Sequence, residues 1–328
     1  MILTDHADLA LRTEELAKRY GRITALAGLT MAVPRGEIFG YLGPNGAGKT
    51  TSVKLLLGLA KPTSGEAWVL GAPISDAVAH RQARRRIGYL PELFRYQPWL
   101  TAREVLRLHC ALGDLDRAVW QHEVDDALGI VGLAERADDR VAGFSKGMQQ
   151  RLGLGVALLG RPELVLLDEP TSALDPVGRH DVREIIRALK ARGTGVFLNS
   201  HLLTEVEQVC DRVAIVDHGR VIAVGTLDEL LRSDAVRIRA TGVTAAAKAV
   251  LATMGALDDE GEWLVVRGIT PDLVPTVVDT LVREGARVYA VEPRQESLED
   301  RFLSLLERPE LPEQPEQPEQ PEQPESAR

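Results

Sequence analysis

Gly43-Pro44-Asn45-Gly46-Ala47-Gly48-Lys49-Thr50-Thr51 fits the pattern G-x-x-x-x-G-K-[ST], and its surroundings decide the fold. Glu37 to Leu42, just before it, is a short apolar run that reads as a buried strand. Thr51 to Leu59, just after it, carries apolar residues at helical spacing. Strand, glycine loop and helix together form an anion cradle. Glycines let the backbone turn tightly against a polyphosphate, and loop and helix N–H groups point at it. In this reading Lys49 reaches the β and γ phosphates and the Thr50 hydroxyl ligates Mg2+.

Downstream, Leu164-Val165-Leu166-Leu167-Asp168-Glu169-Pro170 is an apolar strand ending in two carboxylates. An unbroken apolar run suits a strand buried on both faces, and α/β sheets bind ligands at strand C-termini. Asp168 is thus expected to hold Mg2+, and Glu169 to orient or deprotonate a water. Ser172-Ala173-Leu174-Asp175 reads as a tight turn into a helix ending near Ala191. Thr194 to Asn199 reads as another strand, followed by Ser200-His201. His201 there is placed to donate a hydrogen bond to a γ-phosphate. Thr101 and Glu104 form a capping box, and no strand is expected between about Trp99 and Gly143, so this stretch reads as a helical insertion. Phe144 to Arg151 then opens a helix running to Leu159.

Upstream, Leu9 to Ala17 reads as an edge strand and Lys18 to Gly21 as a turn. This leaves Tyr20 exposed, where its ring can stack on an adenine. Arg81, Arg84, Arg85 and Arg86 read as a solvated helix face. Ile87 to Leu90 is a buried strand ending at Pro91-Glu92, and the aromatic loop Leu93 to Trp99 follows.

The chain has 328 residues, 45% of them hydrophobic, enough for more than one core. Its net charge of −9 disfavours nucleic acid as a partner. Residues 307–328 hold seven glutamates and two arginines, which makes −5 of that total. Cys110 and Cys210 stand far apart without metal-binding spacing and read as free or buried thiols in a reducing compartment. The acidic N-terminus lacks a basic region followed by an apolar core, so it does not read as a signal peptide. No apolar run approaches the ~20 residues a membrane span needs. Beyond Ser233 the expected order is strand, helix, strand pair, helix, strand, helix, a small βαββαβ-like α+β unit with no catalytic constellation. The closing Pro-Glu-Gln repeats read as disordered.

From about Leu9 to Leu231 the ordered motifs resemble the ATP-binding subunit of an ABC transporter. The resemblance implies a P-loop NTPase domain over residues 1–232, with a helical subdomain at about 99–160. An accessory domain at 233–307 and a disordered tail at 308–328 follow. It assigns Tyr20 to the adenine, Gly43 to Thr51 to the Walker A loop, and Glu92 to the Q-loop position. Ser145-Lys146-Gly147-Met148-Gln149 falls on the signature, Asp168 and Glu169 on the Walker B pair, Ser172 to Asp175 on the D-loop and His201 on the switch histidine. The family's usual Leu-Ser-Gly-Gly-Gln reads Phe-Ser-Lys-Gly-Met here, and Glu92 replaces the usual glutamine. Both variants, and the region after Ser233, resemble the ABC-2 type drug and antibiotic exporters.

The resemblance further implies two cassettes meeting head to tail, most simply as a homodimer. ATP and Mg2+ on Lys49, Thr50, Glu92 and Asp168 of one would be closed by Ser145 and Gly147 of the other. Closure on ATP and opening after hydrolysis would drive a separate integral membrane permease, held near Phe94, Tyr96 and Trp99. The chain would then be cytoplasmic and peripheral on the inner face of the membrane. A competing reading is a soluble ABC ATPase acting on ribosomes or DNA. The single cassette, the lack of sustained heptads and the acidic charge weigh against it.

Overall fold

A computed structural model of the chain describes residues 8–306 apart from 173 and 296. In chain order it begins β1 (Leu9–Tyr20), β2 (Ile23–Pro34), β3 (Ile38–Leu42), α1 (Lys49–Leu56), β4 (Ser64–Val69), β5 (Ala72–Pro73), α2 (Ala77–Arg84) and β6 (Ile87–Leu90). Three helices follow, α3 (Ala102–Leu112), α4 (Trp120–Ile130) and α5 (Lys146–Leu158). The chain then alternates through β7 (Leu164–Asp168), α6 (Pro176–Ala191), β8 (Gly195–Asn199), α7 (Leu203–Val209), β9 (Arg212–Asp217), β10 (Arg220–Thr226) and α8 (Leu227–Leu231). It closes with β11 (Arg232–Thr241), α9 (Ala245–Met254), β12 (Ala256–Glu260), β13 (Trp263–Arg267), α10 (Val274–Arg283), β14 (Arg287–Gln295) and α11 (Leu298–Leu306).

The site is positioned by a six-stranded sheet in the order β10-β9-β3-β8-β7-β6. All its pairs are parallel except the β9–β10 hairpin. Each central strand divides its side chains between two cores. Leu164, Leu166, Phe197, Phe39 and Tyr41 enter one shared with α1 and the antiparallel sheet. Val165, Leu167, Val196, Leu198 and Ile38 enter the other, shared with the helical region. Burial on both faces is why these strands read as unbroken apolar runs. Phe197 stacks on Phe39 at 6.0 Å and meets Tyr41 at 5.1 Å, tying β8 to β3.

The antiparallel sheet has the order β2-β1-β4-β5, so β1 is an interior strand. The edge-strand expectation for Leu9 to Ala17 is corrected: β4 returns to pair with β1, bringing Leu11 opposite Val69. The expected turn at Lys18 to Gly21 is shorter too, because β1 runs on to Tyr20, which pairs with Ile23. In the helical region Thr101 accepts from the Glu104 N–H (3.2 Å) and Glu104 accepts from the Thr101 N–H (2.8 Å), a closed capping box.

Gly88 on β6 lets α5 lie against the sheet. A Cβ there would come within 1.9 Å of the Ala157 carbonyl oxygen. Relief would require separating α5 from β6, and overpacking of this kind costs ~1–3 kcal/mol. Gly88→Ala is therefore expected to lower stability by about 3 kcal/mol in urea unfolding. An unshifted midpoint would mean the helix is free to move off the strand.

The third sheet, β12-β13-β11-β14, carries α9 and α10 over a core of its own built on Val236, Ile238, Leu251, Val266, Val277 and Leu281. Its order of elements is the expected βαββαβ. Sequence order groups α11 with this sheet, yet Leu298, Phe302 and Leu305 join the core of the helical region and α7. Cys110 and Cys210 are buried and unpaired, and burial pushes both thiols up from their ordinary pKa. The Pro-Glu-Gln tail lies outside the described residues. Among those residues no helix is long and apolar enough to cross a membrane.

Candidate nucleotide site

Register brings the site together. Tyr41 on β3 and Asp168 on β7 both align with Asn199 on β8, so three strands end at one level. β8 lies between the glycine loop and the carboxylate pair, which sit two strand spacings apart, about 9–10 Å. Above these ends opens a cleft of about 490 Å3. Asn45, Gly46, Gly48, Lys49, Thr50, Thr51, Glu92, Asp168, Glu169, Asn199 and His201 line it, with Ile23, Thr24 and Ala25 on the β2 side.

The loop is shaped by Gly48, which caps α1 at φ +93°, the left-handed region that costs glycine nothing. A Cβ there would stand 2.3 Å from the Ala25 carbonyl oxygen. Lys49 folds back over the loop and donates to the carbonyls of Gly43 (2.7 Å) and Pro44 (3.1 Å). Burial pulls its pKa below the usual lysine range, while Glu169, Asp168 and Glu92 draw it back up. Gly43, Pro44 and Ala47 belong to the loop but do not line this cleft.

Asp168 is nearly fully buried. Burial raises its carboxyl pKa, a hydrogen bond from Asn199 Nδ2 opposes this, and repulsion from Glu92 and Glu169 adds to the rise. Glu169 occupies a left-handed backbone conformation at φ 52°, uncommon for a non-glycine residue and disfavoured before a proline. Its N–H donates to the Asn199 carbonyl (2.9 Å), which holds the turn. The turn aims its carboxylate at His201, whose Nδ1 lies 2.7 Å from Oε2. The histidine expected to face a phosphate thus spends this ring nitrogen on Glu169. Asp175 caps α6 by accepting from the Gly178 N–H (2.8 Å), Ser172 Oγ donates to the Glu169 carbonyl (3.2 Å), and Leu174 is buried. Ala173 lies outside the described residues.

Tyr20 does not line the cleft. It is 48% exposed at the end of β1, with Lys18 Nζ 4.8 Å above its ring. Ser145, Lys146, Gly147, Met148 and Gln149 do not line it either. They form the outer start of α5, where Ser145 Oγ accepts from the Met148 N–H (3.2 Å) and Gln149 Nε2 donates to the Phe144 carbonyl (3.2 Å). The aromatic loop divides against expectation. Phe94 and Tyr96 pack on the helical core, 5.3 Å apart, and of the three aromatics expected to meet the permease Trp99 stands most open, 67% exposed.

Sequence reasoning missed Asn199, which both holds Asp168 and fixes the Glu169 backbone. A strand-end asparagine reads as turn chemistry, and only the register shows what it faces. Its Oδ1 is buried without a donor.

The oxygens of Thr50, Glu92 and Asp168 are donors suited to a hard divalent cation, which would relieve the repulsion among the carboxylates. Among the described residues no three His, Cys, Asp or Glu side chains converge as a metal site by themselves. A cation here would therefore need phosphate oxygens and water to complete its shell.

A parallel sheet whose strand ends carry a glycine loop, a lysine and a carboxylate pair defines a P-loop nucleotide-binding protein. Residues 26–172 match the ABC transporter family. The linearmycin resistance ATP-binding protein of Bacillus subtilis is 33% identical over 308 residues, 91% of this chain and 98% of that one. Nod factor export ATP-binding protein I of Burkholderia orbicola is 36% identical over 295 residues, 89% and 95% of the two chains. A solved ATP-binding subunit of an ABC transporter superposes with a TM-score of 0.61 at 35% identity, over 68% of this chain and 92% of the other. The chain belongs to the ATP-binding proteins of ABC transporters.

Proposed function

We propose that this chain binds ATP with Mg2+, hydrolyses it as a head-to-tail dimer, and thereby drives export through a separate membrane permease. The observation that carries the reading is the convergence of Lys49, Thr50, Asp168, Glu169 and His201, from three separate segments, on one cleft.

Lys49 exchanges the Gly43 and Pro44 carbonyls for the β and γ phosphates, and the loop N–H groups hold the remaining phosphate charge. Thr50 and Asp168, with Glu92 beside them, would hold Mg2+, which neutralises charge developing on the phosphates during transfer. Asn199 keeps Asp168 aimed into the cleft. Glu169 accepts a proton from the attacking water, and His201 fixes its orientation. The adenine extends past Ile23 to Tyr20, whose ring Lys18 must uncover.

The start of α5 supports the dimer. Ser145 and Lys146 are exposed at a helix N-terminus, where N–H groups and the helix dipole favour an anion, yet they stand outside their own chain's cleft. A partner's γ-phosphate supplies that anion. Leu93 and Trp99, 86% and 67% exposed, offer the apolar contact for the permease. Export follows the relative named for it, and a peripheral place on the inner face of the membrane follows from the permease.

The test is affinity purification of the tagged Glu169→Gln protein from detergent-solubilised membranes with ATP present. A co-purifying polypeptide with several membrane spans is the expected result. Ribosomal proteins or DNA, with no membrane protein, would overturn the transporter reading.

A further inference from the structure

A second cavity, of about 220 Å3, adjoins the nucleotide cleft and shares Asn45 and His201 with it as a common wall. Its other sides are Gly43, Pro44, Ser200, Leu203 and Phe302. Phe302 alone comes from beyond the β10 hairpin: it sits on α11, which begins within three residues of the end of β14 in the third sheet. α11 is well anchored. Leu298 is fully buried in the larger core, its N–H donates to Glu207 on α7 (3.2 Å), and Phe302 and Leu305 pack on the same core as Leu203 and Leu230.

We propose that Phe302 is a positioning residue for hydrolysis: it backs the His201–Leu203 segment from the side opposite the nucleotide, and through α11 it ties the third sheet to the orientation of Glu169. This inference rests on the ATPase reading above. The chain of contacts is short. Phe302 and Leu203 face one cavity, and Leu203 opens α7 two residues after His201. His201 in turn holds Glu169 by a single 2.7 Å contact. Truncating the phenyl ring enlarges a void that already exists, so the start of α7 gains room to shift. A general base works only within hydrogen-bond reach of its water, and a displacement of ~1 Å can cost ~100-fold in rate. The groups that hold ATP itself lie at the end of β3 and the start of α1; the glycine loop borders the same cavity through Gly43, Pro44 and Asn45, but its shape is held by its own bonds, Lys49 to the Gly43 and Pro44 carbonyls and the Ala47 N–H to the Pro44 carbonyl. Phe302 should therefore act far more on turnover than on affinity. Because only two residues separate the end of β14 from the start of α11, a partner or ligand that tilts the third sheet also moves this backing, giving that sheet control over the ATPase rate.

The experiment is steady-state phosphate release by the full-length protein against ATP concentration, with thermal melts alongside. Four variants are compared with wild type: Phe302→Ala, Phe302→Leu, Leu303→Ala and Lys49→Ala. Leu303 lies on the same helix and is 50% exposed. Expected for Phe302→Ala is a fall in kcat of about tenfold, with KM for ATP within about twofold. Phe302→Leu, which refills most of the void, should recover most of the rate, and Leu303→Ala should match wild type. An unchanged kcat in Phe302→Ala, beside a wild-type rate that Lys49→Ala abolishes, overturns this inference alone. So does an equal loss in Leu303→Ala, or a rise in KM with kcat intact. A wild-type protein with no Lys49-dependent turnover overturns the ATPase reading and this inference with it.

Discussion

Glu169→Gln is expected to bind ATP, to accumulate as a dimer on it, and to release phosphate ~100- to 10,000-fold more slowly than wild type. An amide oxygen cannot take up the water's proton as a carboxylate can, while the shape of the side chain is kept. The positions around it stay fixed for reasons independent of its charge. The Glu169 backbone is held by its N–H bond to Asn199, and the amide oxygen can still meet His201 Nδ1. Binding should not suffer, since Glu92, Asp168 and Glu169 already crowd one region and removing one charge lessens the repulsion a triphosphate meets. With hydrolysis blocked, the contacts that close the dimer persist, so gel filtration with ATP should show a dimer where ADP leaves a monomer. Phosphate release at the wild-type rate would remove Glu169 from the role of base.

Lys49→Ala should act earlier, at binding. Its ammonium is the cation that all three cleft carboxylates and the loop carbonyls draw upon. A charge-assisted hydrogen bond is worth ~1.5–3 kcal/mol. Losing the contacts to the β and γ phosphates should weaken ATP binding ~10- to 100-fold or more in titration calorimetry, and turnover should vanish. The two variants separate cleanly, one losing affinity and the other keeping it while losing rate. Full turnover by Lys49→Ala would show that the loop lysine never faces the phosphates, and the nucleotide reading would fall with it.

Much of this site was readable along the chain because the features involved are local. A glycine loop is a backbone requirement over nine residues, and the Thr101–Glu104 capping box closes within four. The runs that became β3, β7 and β8 are apolar throughout because both faces are covered. The misreadings share the opposite cause. Leu9 to Ala17 alternates like an edge strand, and whether it has one neighbour or two depends on β4, which arrives more than forty residues later. Phe94, Tyr96 and Trp99 are equally apolar in composition, and only the packing of α3 and α5 decides which two are covered. Asn199 carries no pattern, since its role exists only opposite Asp168.

The sequence by itself therefore settled which chemical groups this protein owns: a glycine loop with a lysine, a carboxylate pair, a histidine, and a Phe-Ser-Lys-Gly-Met run at a helix start. Each is written in consecutive residues, where torsional limits, capping and burial pattern act over a few positions. The tertiary structure alone decided which of these groups share a cleft. Strand order sets β8 between β3 and β7, so that Asn199 and His201 stand between Lys49 and Glu169. It kept Ser145 out of that cleft, and it returned α11 from the third sheet to the wall behind His201. Those outcomes follow from apolar surfaces far apart along the chain finding the burial that excludes most water, a pairing no short window of sequence contains.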